Sequence, residues 1–200
     1  MNNVITIGIS KGYLLKDTLA FFKKHGIEPA DYSDRQLIFF DKTKRYRFMI
    51  LRPTDVPVYV ESGVVDMGVT GLDIVREYRP HLIVLKDLGF GKCRLVIATA
   101  AQQAVPEFAN GLKVATKFVN CTEEYFHSVG IKVDLIKLYG SVELAAITGL
   151  SDVIVDLVAT GATLKENGLK EVETIFESTA YLVVNPVFSS LNPALIEQFA

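Results

Sequence analysis

What most constrains the fold of this chain is an alternation of short aliphatic runs with stretches of helical spacing. ITIGIS (Ile5–Ser10) reads as a strand. LLKDTLAFFKKHG follows, with Leu15, Leu19 and Phe22 on one helical face and Gly26 as the stop. LIFFD and YRFMILR read as strands flanking the turn Asp41-Lys42-Thr43-Lys44. Thr54 is the expected cap of the helix DVPVYVESG, where Pro57 is tolerated in the first turn. DMGVTG is then a strand and loop, and LDIVREY a short helix.

The alternation breaks at Leu82–Ala100, where two strand-like runs follow one another without a helix between them. A second series then begins: strand LKVATK, helix Cys121–Val129, strand KVDLIKLY, helix Val142–Thr148, strand DVIVDLV and helix Ala162–Asn167. Asn120 with Glu123 has the form of a capping box, and Asn167-Gly168 of a helix stop. ETIFESTAYLVVNP reads as strand, leading to a C-terminal helix capped by Asn192 with Pro193 first. The expected fold is therefore α/β, with two lobes joined by a double crossover. Their boundaries are expected at 1–89 with 179–200 for lobe I and at 90–178 for lobe II. The default ligand site of such a fold is the cleft between lobes, beyond the carboxyl ends of the strands.

Composition narrows the function. Half of the 200 residues are hydrophobic and 22% are charged, enough for a core and too apolar for disorder. Net charge is −2, from 21 basic and 23 acidic residues, without the basic excess of a nucleic-acid surface. No run is long enough to span a bilayer, and MNNVITIGIS lacks the pattern of a secretion signal, so a cytoplasmic protein is expected. Cys93 and Cys121 read as ordinary thiols, and His25, His81 and His127 show no metal-ligand spacing.

Three strand-to-helix loops of the second series are expected on one side: Thr116-Lys117, Tyr139-Gly140-Ser141, and Asp156 to Thr163. The last lies in VIVDLVATGATL (Val153–Leu164). Gly161 lets backbone approach an anion closely, and Thr160 and Thr163 add hydroxyls beside the amides of the incoming helix. A carboxylate upstream suits vicinal hydroxyls, and ribose 5-phosphate presents both groups. The plainer reading has Thr160 capping a helix and Asp156 closing a strand.

The segment resembles the signature of the ATP phosphoribosyltransferase family, which opens histidine biosynthesis. Glu143, Gly149, Ser151, Ile154, Asp156, Leu157, Thr160, Gly161, Thr163 and Leu164 appear in order and spacing, ten positions across twenty-two residues. The resemblance extends to SKG (Ser10–Gly12), LRPTDVPVYVESGVVDMGVTGLD (Leu51–Asp73), VATKFVN (Val114–Asn120) and IKLYGSVELA (Ile136–Ala145), essentially the whole chain. It implies a fold of periplasmic-binding-protein-like (type II) topology. The chain ends near the end of the family's catalytic core, as in the short form, whose regulation comes from a separate subunit similar to histidyl-tRNA synthetase. A homodimer within a hetero-octamer is the implied assembly. Two rivals differ in kind. A type I phosphoribosyltransferase would carry two adjacent acids, whereas Val155 precedes Asp156. A solute-binding or effector-sensing domain would share the two lobes and bind without turnover.

The resemblance implies that N1 of ATP attacks C1 of 5-phosphoribosyl 1-pyrophosphate, with Mg²⁺ carried by the substrate rather than by a protein site. It places the 5-phosphate on Thr160, Gly161, Ala162 and Thr163, and the ribose hydroxyls on Asp156 with Glu143. Lys11 and Gly12 would meet the pyrophosphate, and Arg35 would reach the leaving group, either within the chain or across a subunit interface; a solvated surface charge is the alternative for Arg35. Gly71 and Asp73 match the family's GxD on the ATP side, or simply start a helix. Arg52 is either a phosphate contact or a salt-bridge partner. One departure stands out: the family's loop usually reads SKGR, and here Tyr13 takes the arginine's place.

Overall fold

A computed structural model describes residues 4–33 and 35–200. Positions 1–3, part of the stretch read for a secretion signal, and Asp34 of the SDRQL segment lie outside the described residues. The chain forms two compact units, Met1–Gly91 with Thr179–Ala200, and Lys92–Ser178. It passes from one to the other at Gly91/Lys92 and returns at Ser178/Thr179.

The first unit opens with β1 (Ile5–Ser10), α1 (Leu15–Lys24), β2 (Ile38–Phe40), β3 (Tyr46–Leu51), α2 (Val56–Glu61), β4 (Met67–Gly71), α3 (Leu72–Tyr78) and β5 (Ile83–Asp87). The second consists of β6 (Cys93–Ala100), β7 (Lys113–Thr116), α4 (Val119–Ser128), β8 (Asp134–Lys137), α5 (Glu143–Ile147), β9 (Val153–Val158), α6 (Ala162–Glu166) and β10 (Leu169–Ser178). On its return the chain adds β11 (Ala180–Val184), α7 (Pro186–Leu191) and α8 (Pro193–Glu197) to the first unit.

The first sheet runs β2-β3-β1-β4-β11-β5. β1 is parallel to β3 and β4, while β11 is antiparallel to both its neighbours. Alternation along β1 sends Ile7 and Ile9 into a core with Phe22, Phe48, Met67, Leu182 and Phe199. The opposite face is made flat for α2. Gly8 and Gly68 are register partners there, and a Cβ on Gly68 would fall 2.7 Å from Val56 Cγ1 and 3.1 Å from Gly8 O. Two adjacent glycines let the helix sit directly on the strands.

The second sheet runs β10-β6-β9-β7-β8, with β7 parallel to β8 and β9, and β6 antiparallel to β9 and β10. One core cluster joins Val96, Ala98, Ala115 and Ile154 of the strands to Val142, Ala145, Ala146 and Leu164 of the helical segments. Alanines at the α5 contact allow that five-residue helix to lie close to the sheet.

Several local expectations change. Thr54 does not cap α2: its hydroxyl donates to Asp55 Oδ1, and the Arg52 carbonyl accepts Asp55 N and Val56 N instead. Asn120 does not cap α4, which already begins at Val119 after Phe118. Asn192 does not cap α8 with its side chain; its Nδ2 donates back to Phe188 O at 3.0 Å. The capping asparagine is Asn185, whose Oδ1 accepts from Val187 N and Phe188 N while its Nδ2 donates to Val60 O. The stretch ETIFESTAYLVVNP is not one strand either, because it divides at Thr179 between β10 and β11.

Candidate active site

In the second unit the three loops come to one edge because β7, β8 and β9 are parallel. Thr116 is paired with Lys137 on one side and Val155 on the other. The residues after each strand therefore share the carboxyl edge of the sheet. Thr116 fixes this edge further: its hydroxyl donates to Val155 O at 2.8 Å and accepts from Phe118 N at 2.9 Å.

Asp156 sits within β9, two positions before its end, and is 8% exposed. A buried carboxylate needs partners, and two converge on the same oxygen. Leu157 N donates to Oδ1 at 2.8 Å, and Lys117 Nζ stands 3.1 Å from Oδ1. Oδ2 accepts nothing from the described residues. In the sequence Lys117 is distinguished only as a member of the Thr116-Lys117 loop. The signal for it was a cation placed directly after a strand, next to an acid on the neighbouring strand.

Beyond β9 the chain turns at Gly161, with φ +81° and ψ −2°. That left-handed conformation is costly for L side chains, and glycine adopts it freely. Thr160 and Thr163 are exposed, and Ala162 N reaches Thr160 Oγ1 only at 3.4 Å. No side chain caps α6, whose first amides lack acceptors within the helix. Glu143 begins α5 at the same carboxyl edge and is half-buried. The structure thus gathers Glu143, Asp156, Thr160, Gly161, Ala162 and Thr163 in one unit, with Asp156 paired to Lys117 rather than to any of them.

The other candidates gather in the first unit. Ser10 pairs with Leu51, and Ile9 with both Ile50 and Val69, so the ends of β1, β3 and β4 are level. Lys11 and Gly12 follow β1, with Lys11 N donating to Leu51 O and Gly12 at φ +99°. Arg52 follows β3 and is exposed. Arg35, also exposed, precedes β2; Ile50 N donates to Leu37 O, which brings the entry to β2 to this edge. Gly71 ends β4 and Asp73 lies in the first turn of α3, only 5% exposed. The Asp73 carboxylate folds over Gly71, where an acid favours a helix start. Tyr13 is 68% exposed, with its hydroxyl 3.5 Å from Gly91 O.

At the opposite, amino edge of the first sheet a cavity of about 1140 Å³ opens among Ile5, Arg45, Asp66, Asn185 and Leu191. None of the candidates above lines it. Burial raises the Asp66 carboxyl above the ordinary aspartate range, and the Thr6 amide and the Arg47 charge offset this only in part.

Comparisons with known proteins agree with the signature. The family model described as HisG, ATP phosphoribosyltransferase, matches residues 52–200. The ATP phosphoribosyltransferase of Citrifermentans bemidjiense is 50% identical over 190 residues, covering 92% of this chain and 90% of the relative. That of Thermosynechococcus vestitus is 46% identical over 198 residues, covering 94% and 92%. Among solved structures, the ATP phosphoribosyl transferase (HisG:HisZ) complex from Thermotoga maritima superposes with a TM-score of 0.81 at 36% identity, covering 98% of this chain and 94% of that one. The periplasmic aliphatic sulphonate binding protein SsuA of Escherichia coli superposes at 0.62 with 15% identity, covering 98% and 69%, a likeness of fold alone.

Proposed function

The chain belongs to the ATP phosphoribosyltransferase family, and from that premise we propose which of its residues carry each part of the reaction. The reaction condenses ATP with 5-phosphoribosyl 1-pyrophosphate to N1-(5-phosphoribosyl)-ATP and pyrophosphate, the first step of histidine biosynthesis. N1 of the adenine forms a bond to C1 of the ribose as the C1–O bond to pyrophosphate breaks. Two polyanions must be aligned against their repulsion, and alignment of reactants can supply about 7–11 kcal/mol of a barrier.

The phosphoribosyl end is assigned to the second unit. Asp156 Oδ2, left open while Oδ1 is engaged, accepts the ribose hydroxyls, with Glu143 at the start of α5 as the second acceptor. The turn at Gly161 and the amides and hydroxyls of Thr160 to Thr163 receive the 5-phosphate. This pairing of an open carboxylate oxygen with a left-handed turn at the end of β9 is the observation that carries the assignment. Lys11, Gly12 and Arg35 are assigned to the pyrophosphate, whose developing charge needs cations. Arg52, Gly71 and Asp73 are assigned to the ATP side, Asp73 by holding the Gly71 turn. A divalent cation enters with the polyphosphate substrates, and Mg²⁺ is the expected one.

The match to the HisG:HisZ complex supports a regulatory partner subunit, similar to histidyl-tRNA synthetase. A homodimer within a hetero-octamer is the assembly proposed with it. Among the described residues no helix is long and apolar enough to cross a membrane. A cytoplasmic location follows from the biosynthetic role.

The test is a direct assay of both substrates with Mg²⁺, with and without the regulatory subunit. New ultraviolet absorbance from phosphoribosyl-ATP is expected. Nucleotide binding without product under either condition would remove the proposed roles.

A further inference from the structure

Lys117 is held from several directions. Its own turn is clamped by Thr116, which bonds both to the β9 carbonyl of Val155 and to the amide of Phe118. Its ammonium lies 5.6 Å from the centroid of the Phe118 ring, a residue only 3% exposed, and 3.1 Å from Asp156 Oδ1. The Lys117 side chain is 42% exposed and that of Asp156 11%, so the pair spans the boundary between solvent and interior.

The geometry points to Lys117 as a positioning residue for the phosphoribosyl ligand, acting through Asp156; this rests on the ribose role proposed above for that carboxylate. Lys117 and the Leu157 amide hold the same oxygen, Oδ1, which fixes the rotation of the carboxylate and presents Oδ2 as the open acceptor. The ammonium also offsets a negative charge that would otherwise repel the phosphate arriving at Thr160 to Thr163. Replacing Lys117 by a neutral side chain of similar length leaves Oδ1 with one donor and frees the carboxylate to turn. The ligand then has to order a group that was ordered already, and affinity falls.

The experiment is calorimetric titration of 5-phosphoribosyl 1-pyrophosphate with Mg²⁺, and separately of ATP, into the full chain and its variants. Lys117→Met is expected to weaken the phosphoribosyl ligand by about threefold to tenfold, the scale of a partly exposed charged pair. ATP binding should hold, and Lys117→Arg should restore most of the loss. The KM for the phosphoribosyl substrate should rise with little change in that for ATP. In an Asp156→Asn background, Lys117→Met should cost almost nothing more, because its effect passes through the carboxylate. Additive losses would overturn the inference by making Lys117 a direct ligand contact. So would an unchanged affinity in Lys117→Met, or equal losses for both ligands with a lowered melting temperature and no rescue by arginine. Asp156→Asn alone without loss would instead sink the ribose role itself, and the inference with it.

Discussion

The space beside Gly71 is taken by Asp73: a Cβ on Gly71 would lie 2.1 Å from Asp73 Oδ1. Gly71 has φ −74° and ψ 148°, a conformation open to any residue, so room rather than backbone freedom requires glycine here. Gly71→Ala must therefore push the carboxylate off the start of α3. It should lower stability by about 1–3 kcal/mol, the usual cost of overpacking. In an Asp73→Ala background the same change should cost much less. Thermal unfolding of the four proteins of this cycle reads the coupling, and strictly additive losses would show that the two residues do not share the space.

At Gly161 the reverse holds. The nearest atom to an added Cβ is Val158 Cγ1 at 3.9 Å, so there is room, and the cost comes from φ +81°. Gly161→Ala should lose about 1–2 kcal/mol of stability. Gly161→Asn, a residue that tolerates this region, should lose less. Both variants place a side chain where backbone is assigned to the 5-phosphate, so both should bind 5-phosphoribosyl 1-pyrophosphate poorly while retaining ATP. Normal binding of the sugar in the asparagine variant would rule out a close approach.

Tyr13 stands where the family usually has arginine, and its side chain is largely in solvent. An arginine there would start from the same exposed position. Tyr13→Arg should improve affinity or turnover with the phosphoribosyl substrate by roughly tenfold or more, since a charged phosphate bond contributes about 1.5–3 kcal/mol. Tyr13→Phe, which removes the hydroxyl 3.5 Å from Gly91 O without adding a charge, should not reproduce that gain. Steady-state kinetics on both variants decide it, and a loss in Tyr13→Arg would mean that the loop is built around tyrosine.

Asp66 gives a prediction in pH. Its carboxyl is raised in the folded protein by burial, so the native state holds the proton more tightly than the unfolded chain does. This contribution to stability is fully present below the ordinary value of about 4 and is lost as pH rises through the raised one. Asp66→Asn keeps an oxygen to accept the Thr6 amide but has no charge to desolvate. The variant should gain in melting temperature over the parent at pH 7, with the gain shrinking toward pH 4. A gain that grows on acidification would reverse the sign and exclude burial as the cause.

The periods of hydrophobicity in this sequence determined most of its elements. ITIGIS, the Leu15–Leu19–Phe22 face and VIVDLV each carry their own pattern, because burial of one face is a local property of spacing. The signature from Glu143 to Leu164 was legible for a similar reason, since its residues lie within one α-β-α stretch. What the sequence left undecided depended on partners remote along the chain. Asn185-Pro186 and Asn192-Pro193 are the same dipeptide, yet only Asn185 is locked as a cap, by α2 residues more than a hundred positions away. The break at Thr179 follows from which sheet each half of the run joins. The pairing of Lys117 with Asp156 follows from the register of β7 on β9, set by strand contacts and not by either residue. Only the folded chain brings such groups within hydrogen-bond reach, because pairing depends on contacts between elements whose own patterns say nothing about their neighbours.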